Sequence, residues 1–296
     1  MTPAAPPAVL AWRDGGSPVR TGAGPIFVRT TGGAGRRIVF LHGYPSSGYD
    51  FRHVVEHFPG TPTLVLDFLG FGLSAKPRRH RYSLFEQADL VEEVVALHET
   101  GPVAVVAHDM GTSVATELMA RDLRGELGFE LEHVVLSNGS VLLDRATLRP
   151  IQQVLRGPLG PVAARLSNRP MFVREFSRLF SPDHPLGREE AAAQWALIAN
   201  EGGNRIMHLL AGYLGERVTH APRWHGAVRD WPKPLGLLWG LRDPVATVDV
   251  LAGLRELRPS AGVVELPELG HYPQIEDPGT YADGVRTLLG SAQDGA

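Results

Sequence analysis

Short β-branched and apolar runs recur along the chain, separated by longer stretches in which apolar positions return every three or four residues. The short runs lie at 37–41, 63–67, 103–107, 133–136, 235–239 and 262–266. The longer periodicity predicts helices near 49–57, 83–99, 110–124, 248–255 and 278–289. Strands and helices in regular alternation specify an α/β architecture, a mostly parallel sheet covered by helices on both faces. Two earlier runs, 8–12 and 26–30, read as a leading antiparallel hairpin.

The alternation breaks between about 141 and 234. That stretch reads as several helices with Pro and Gly breaks, carrying Phe172, Phe176, Leu179, Phe180, Trp195, Leu209 and Leu210 among its apolar positions. It is too long for a crossover connection, so it is expected to be a helical cap inserted between two core strands. Open α/β sheets bind ligands beyond the carboxyl ends of their strands, and a cap there closes over the site.

Composition narrows the partners. A chain of 296 residues, 43% of them hydrophobic, can bury the core of one domain with an insertion. The net charge of −3 gives no broad electrostatic reason to expect nucleic acid or an anionic membrane, and Arg78-Arg79-His80-Arg81 reads as solvated loop. No apolar run is long enough to span a bilayer, and residues 1–7 lack the features of a secretory signal. With no cysteine there is no disulfide framework or thiolate nucleophile. The 12 histidines include no HExxH pair, so no metal is expected. The expectation is a cytoplasmic protein, monomer or homodimer, without a cofactor.

Four segments carry the chemistry. Ala107-His108-Asp109-Met110-Gly111 follows an apolar strand and opens a helix, with small residues two before and two after Asp109. A sharp strand-to-helix turn needs that pattern, because its backbone is strained and neighbouring chains pass close. A serine at its tip attacks carbonyl carbon; a carboxylate suits displacement at saturated carbon, leaving an alkyl ester that water must cleave. In Phe40-Leu41-His42-Gly43-Tyr44-Pro45, the backbone N–H of Tyr44 is placed to face that of Met110 as an oxyanion hole. Leu238-Trp239-Gly240-Leu241-Arg242-Asp243-Pro244 puts a carboxylate just past a strand, where Asp243 would fix the tautomer of a histidine base. Leu269-Gly270-His271-Tyr272-Pro273 supplies that base, His271, on the loop after the last strand.

These residues resemble the aspartate-nucleophile branch of the α/β-hydrolase superfamily, which includes epoxide hydrolases and haloalkane dehalogenases. Asp67-Phe68-Leu69-Gly70-Phe71-Gly72-Leu73-Ser74 resembles that branch's loop after its fourth strand. Within the branch the chain looks most like bacterial relatives of the mesoderm-specific transcript protein. The segments carrying that likeness are His108-Asp109-Met110-Gly111, Leu136-Ser137-Asn138-Gly139, Arg223-Trp224-His225-Gly226-Ala227 and residues 271–278. The resemblance implies the α/β-hydrolase fold, an eight-stranded sheet with core segments 1–140 and 235–296 and a cap over 141–234. It implies the triad Asp109, Asp243 and His271.

The branch's two main chemistries separate on particular positions. Haloalkane dehalogenases typically hold halide with a Trp directly after the nucleophile, partnered by a second Trp or by an Asn in the oxyanion loop; here those positions are Met110 and Tyr44. Fluoroacetate dehalogenases carry Arg after the nucleophile, and this chain does not. Epoxide hydrolases present two cap tyrosines to the epoxide oxygen, and the cap span holds only Tyr213, with Trp195, His208 and Asn138 as candidates for the second contact. Epoxide hydrolysis of a small apolar molecule is therefore the first expectation. Dehalogenation, ester hydrolysis and a non-catalytic binding protein on a hydrolase fold are the alternatives.

Overall fold

The computed structural model describes residues 5–98 and 101–290. Its strands are β1 (Ser17–Thr21), β2 (Gly24–Thr31), β3 (Arg37–Leu41), β4 (Thr63–Leu66), β5 (Val103–His108), β6 (Leu131–Ser137), β7 (Leu235–Gly240) and β8 (Gly262–Leu266). They form one eight-stranded sheet in the order β1-β2-β4-β3-β5-β6-β7-β8. The β1–β2 and β2–β4 pairings are antiparallel and all the others parallel. Side chains of β3 and β5 alternate between two cores: Val39, Leu41, Val105 and Ala107 enter one, Ile38, Phe40, Ala104 and Val106 the other. Both faces being apolar, these strands can only lie inside the sheet with helices on each side.

The helices are α1 (Pro7–Asp14), α2 (Leu84–His98), α3 (Met110–Asp122), α4 (Pro150–Arg156), α5 (Gly160–Leu166), α6 (Arg169–Ser177), α7 (Arg188–Ala199), α8 (Met207–Leu210), α9 (Tyr213–Thr219), α10 (Ala221–Asp230), α11 (Val248–Leu257), α12 (Pro273–Glu276) and α13 (Pro278–Gly290). Seven of them, α4 to α10, form the expected helical insertion between β6 and β7. Its last helix, α10, packs along α3 on the flank of the core. No helix among the described residues is long and apolar enough to cross a membrane.

Two expected elements differ. Residues 8–12 are helical, not a strand: Pro7 occupies the first helical turn, and Val9 and Trp12, three apart, turn one buried face inward. Trp12 meets Tyr49 edge-on at 5.9 Å. The leading hairpin exists, but its first strand is β1, joined to β2 by Gly22-Ala23. Residues 49–57 form two 3-10 segments, Gly48–Phe51 and Val55–His57, instead of an α-helix. The first is tied to the end of β4, since the Gly48 N–H donates to Asp67 Oδ1 at 2.7 Å and a Cβ there would meet Val65 Cγ1 at 2.6 Å. Helix α2 begins one residue after its expected start, and its expected end at Glu99 lies outside the described residues, as do residues 1–4.

The turn from β5 into α3 is tightly packed against the end of β3. A Cβ on Gly111 would lie 2.5 Å from the Leu41 carbonyl oxygen and 2.7 Å from that of His42, both backbone atoms. Gly111→Ala is therefore expected to destabilise the protein by about 2–3 kcal/mol. Gly215 in α9 has nothing within 4 Å of its Cβ position, so Gly215→Ala should stabilise by roughly 0.5–1 kcal/mol. Urea midpoints of the two variants should move in opposite directions.

Candidate active site

Asp109 sits at the β5–α3 turn with φ 45 and ψ −110, a conformation L-residues rarely adopt. Its backbone is held there: Asp109 N–H donates to the Ser137 carbonyl at 3.1 Å, and the Asp109 carbonyl accepts from the Thr112 N–H at 3.1 Å and the Thr112 hydroxyl at 2.6 Å. Because β3 pairs directly with β5, the loop after β3 ends beside this turn. The Tyr44 N–H donates to Asp109 Oδ2 at 2.9 Å. Met110, buried at the start of α3, follows Asp109 directly.

His271 lies on the loop after β8, and Asp243 on the loop after β7, the adjacent strand. His271 Nδ1 is 2.7 Å from Asp243 Oδ2. Asp243 Oδ1 accepts the N–H groups of Val245 and Ala246 at 2.7 and 3.0 Å, and Oδ2 also accepts the Asn138 amide at 2.8 Å. Burial pushes the Asp243 carboxyl up, but the His271 charge and these hydrogen bonds outweigh it and leave its pKa lowered. For His271 burial acts downward; the charge and hydrogen bond of Asp243, reinforced by Asp109, prevail and raise it above the ordinary 6.5.

The loop bearing His271 is clamped on both sides. Glu276 accepts the N–H of Gly270 at 2.8 Å and of Tyr272 at 3.2 Å, and the His271 N–H reaches the Leu179 carbonyl in the insertion at 2.9 Å. Beneath it lies His108, whose pKa burial and the nearby His271 lower to about 4. The neutral His108 ring donates from Nε2 to the His271 carbonyl at 2.7 Å. His42 is likewise neutral, lowered to about 3 chiefly by burial. Its Nδ1–H donates to the Gly43 carbonyl at 2.8 Å, and its Nε2 accepts the Phe68 N–H at 2.9 Å.

Above these groups the insertion encloses a cavity of about 230 Å3. Asp109, His271 and Tyr44 line its inner end; Leu155, Phe172, Phe176 and Trp195 contribute apolar wall. Of the four residues expected to contact substrate, Trp195 lines this cavity and the other three do not. Asn138, at φ 43, has its amide engaged by the loop after β7: Nδ2 donates to Asp243 and to the Gly240 carbonyl at 3.1 Å, and Oδ1 accepts the Gly240 N–H at 2.9 Å. The Cβ of His208 packs beside Gly160 at the start of α5. Tyr213 is buried behind the wall, its ring 5.7 Å from that of Tyr44 and under the Arg217 guanidinium. Among the described residues no cluster of three or more His, Asp or Glu is placed to hold a metal ion.

The site also contains Arg217, which the sequence reading passed over. It is 1% exposed. Its Nε donates to Ser113 Oγ at 2.8 Å, and its Nη2 donates to the Asp109 carbonyl at 3.0 Å and lies 3.8 Å from Asp109 Oδ1. The signal was its spacing four residues after Tyr213 on α9, which puts both on one helix face. A single arginine in an amphipathic helix otherwise reads as solvated.

A parallel sheet whose strand ends gather a strained carboxylate, a carboxylate-paired histidine and an apolar cavity under helices defines a hydrolase of the α/β class. Residues 38–284 match the Alpha/beta hydrolase family, and the chain belongs to it. It is 64% identical over 283 residues to LipZ of Mycobacterium tuberculosis, covering 96% of this chain and 98% of that one. The mesoderm-specific transcript homolog protein of Bos taurus is 33% identical over 300 residues, covering 96% and 89%. The crystal structure of haloalkane dehalogenase DbeA from Bradyrhizobium elkani superposes with a TM-score of 0.76 at 23% identity, over 92% of this chain and 96% of that one, a likeness of fold.

Arg217→Met is expected to destabilise the protein by about 3 kcal/mol, because it leaves a buried carboxylate without its neighbouring cation. In an Asp109→Asn background the same substitution should cost at least about 1 kcal/mol less. Equal costs in both backgrounds, read from urea midpoints, would assign Arg217 a packing role alone.

Proposed function

We propose that this protein is a hydrolase that forms a covalent ester on Asp109, and that its substrates are small apolar epoxides. The observation that carries the epoxide reading is the pair Tyr44 and Tyr213. Burial and the charge of Asp109 both raise the two phenols above their ordinary pKa, so both stay protonated beside the carboxylate. Tyr44 was singled out in the sequence for its backbone N–H, yet the residue also lines the cavity, and its hydroxyl donates to the carbonyl of Met207, another lining residue, at 3.4 Å. Tyr213 lies just behind the wall, with Gln152, a lining residue, next to its hydroxyl. A carboxylate opening an epoxide leaves an alkoxide, and a protonated phenol is the donor that neutralises it.

In this reading Asp109 Oδ1 attacks a ring carbon while its Oδ2 rests on the Tyr44 N–H. The C–O bond of the ring breaks, and the oxygen takes a proton from a phenol. His271 then removes a proton from water as that water adds to the ester carbonyl, with the Tyr44 and Met110 N–H groups receiving the negative charge on the former carbonyl oxygen. Collapse expels the alkoxide, which takes the proton of the water-derived hydroxyl as it leaves, so a diol is released and the Asp109 carboxylate restored; the proton held by His271 returns through water to the phenolate. Asp243 holds His271 in the tautomer whose Nε2 is free to act, and Asn138 holds Asp243. Haloalkane hydrolysis is the second reading, favoured by Trp195, a residue of the cavity wall whose side chain carries an indole N–H donor.

The ester is directly testable. Incubation of His271→Gln with a panel of epoxides and haloalkanes should trap it: a peptide containing Asp109 that gains the whole mass of an epoxide supports the first reading, and one that gains an alkyl group without its halogen supports the second. An unmodified Asp109 across the panel would sink both. Tyr213→Phe should slow epoxide alkylation by about 10²-fold, and full retention of the rate would remove it from the mechanism.

The water step needs neutral His271, and its pKa is raised above 6.5. Turnover is therefore expected to rise with pH through a midpoint above 6.5. Asp243→Asn removes the charge that raises it, so the midpoint should shift to lower pH while kcat falls by about 10³–10⁴.

A further inference from the structure

The insertion carries a surface whose charge runs against that of the whole molecule. Between residues 145 and 174 there are six arginines and neither Asp nor Glu, in a chain of net charge −3. Arg145 pairs with Glu256, and Arg149 lies 3.7 Å from Glu175. Arg156, Arg165 and Arg169 are exposed, and among the described residues they have no ion-pair partner.

The same surface holds five of the nine exposed large hydrophobic side chains among the described residues: Val154, Leu159, Val162, Leu166 and Met171. On and just before α5, Leu159, Val162 and Leu166 are spaced three and four apart, which places them on one side of the helix. Leu159 and Leu166 are each 66% exposed. Isolated exposed leucines need no explanation, but five apolar side chains exposed between residues 154 and 171, interspersed with three unpaired arginines, do. The set is also continuous with the cavity, since Leu166 and Met171 line it as well.

We propose that α4, α5 and the first turn of α6 form a docking face for an anionic lipid surface, with the cavity mouth turned toward the bilayer. Aliphatic side chains enter the acyl boundary while the arginines meet lipid phosphates, the combination by which peripheral proteins hold a membrane without spanning it. The expectation from net charge, that an anionic membrane is not a partner, is reversed here by where the charges sit. Delivery of an apolar substrate from the bilayer into the cavity would follow and rests on the reading of the site given above; docking itself does not need it.

The test is co-sedimentation with vesicles of equal parts phosphatidylglycerol and phosphatidylcholine, compared with phosphatidylcholine alone, at low and high salt. It requires no turnover, so it stands or falls independently of the chemistry at Asp109. The protein is expected to sediment with the anionic vesicles and to release as salt rises. The triple variant Arg156→Gln, Arg165→Gln, Arg169→Gln should partition about a hundred-fold less. Leu159→Ser with Val162→Ser should reduce binding at least about ten-fold. All five positions are exposed, and unchanged urea midpoints will show that the variants fold. Absence of binding to anionic vesicles at low salt, or undiminished binding by either variant, overturns the proposal. So does a dimer in solution that Leu159→Ser with Val162→Ser converts to monomer, which would show that a second copy covers this face.

Discussion

The site depends on one backbone constraint, the close approach of the turn at Asp109 to the end of β3. Gly111 lies against the Leu41 and His42 carbonyls with no room for a side chain, and Asp109 is held at positive φ by bonds from β6 and α3. Only at that proximity can the Tyr44 N–H, one loop away, meet the Asp109 carboxylate. Strain of this kind costs of order 1–3 kcal/mol and persists where surrounding structure over-determines it. Here the surrounding structure is the fully buried centre of the sheet.

Charge within the site is arranged around that turn. Two histidines next to it, His42 and His108, are kept neutral and serve as hydrogen-bonding struts. The third, His271, is held by Asp243 with its pKa raised. Arg217 reaches Asp109 from the opposite side, through its carbonyl and toward Oδ1. Three imidazoles in similar burial thus differ in behaviour because only one of them hydrogen-bonds to a carboxylate.

Most strands of the sheet were legible because buried parallel strands leave continuous apolar runs. The strand-end segments around Tyr44, Asp109, Asp243 and His271 were legible for a related reason: strained turns demand small residues at fixed offsets. What failed were local readings decided by tertiary contact. Residues 8–12 satisfy strand and helix patterns alike until Trp12 finds Tyr49, and Gly48 is drawn out of a regular helix by Asp67, nineteen residues away. Asn138 and His208, expected at the substrate, lie off the cavity, because residue type reveals hydrogen-bonding capacity but not its direction. Arg217 was passed over because a buried cation and a solvated one have the same spacing. Summed net charge concealed the arginines of α4 to α6, since acidic residues elsewhere cancel them.

The His108 bond to the His271 carbonyl gives the molecule a mechanical partition. Through it, and through the Glu276 clamp, the loop carrying the imidazole is fastened to the strand carrying the carboxylate. Asp109, His108, His271 and Asp243 are thereby joined through the sheet and its loops, and the covering insertion reaches this group at Arg217 and Leu179. Most of the cavity wall belongs to that insertion, with Leu155, Phe172, Phe176 and Trp195 among its residues. The wall can thus vary in sequence at positions that make no bond to the strand-end groups, whereas Arg217 and Leu179 tie the two parts together.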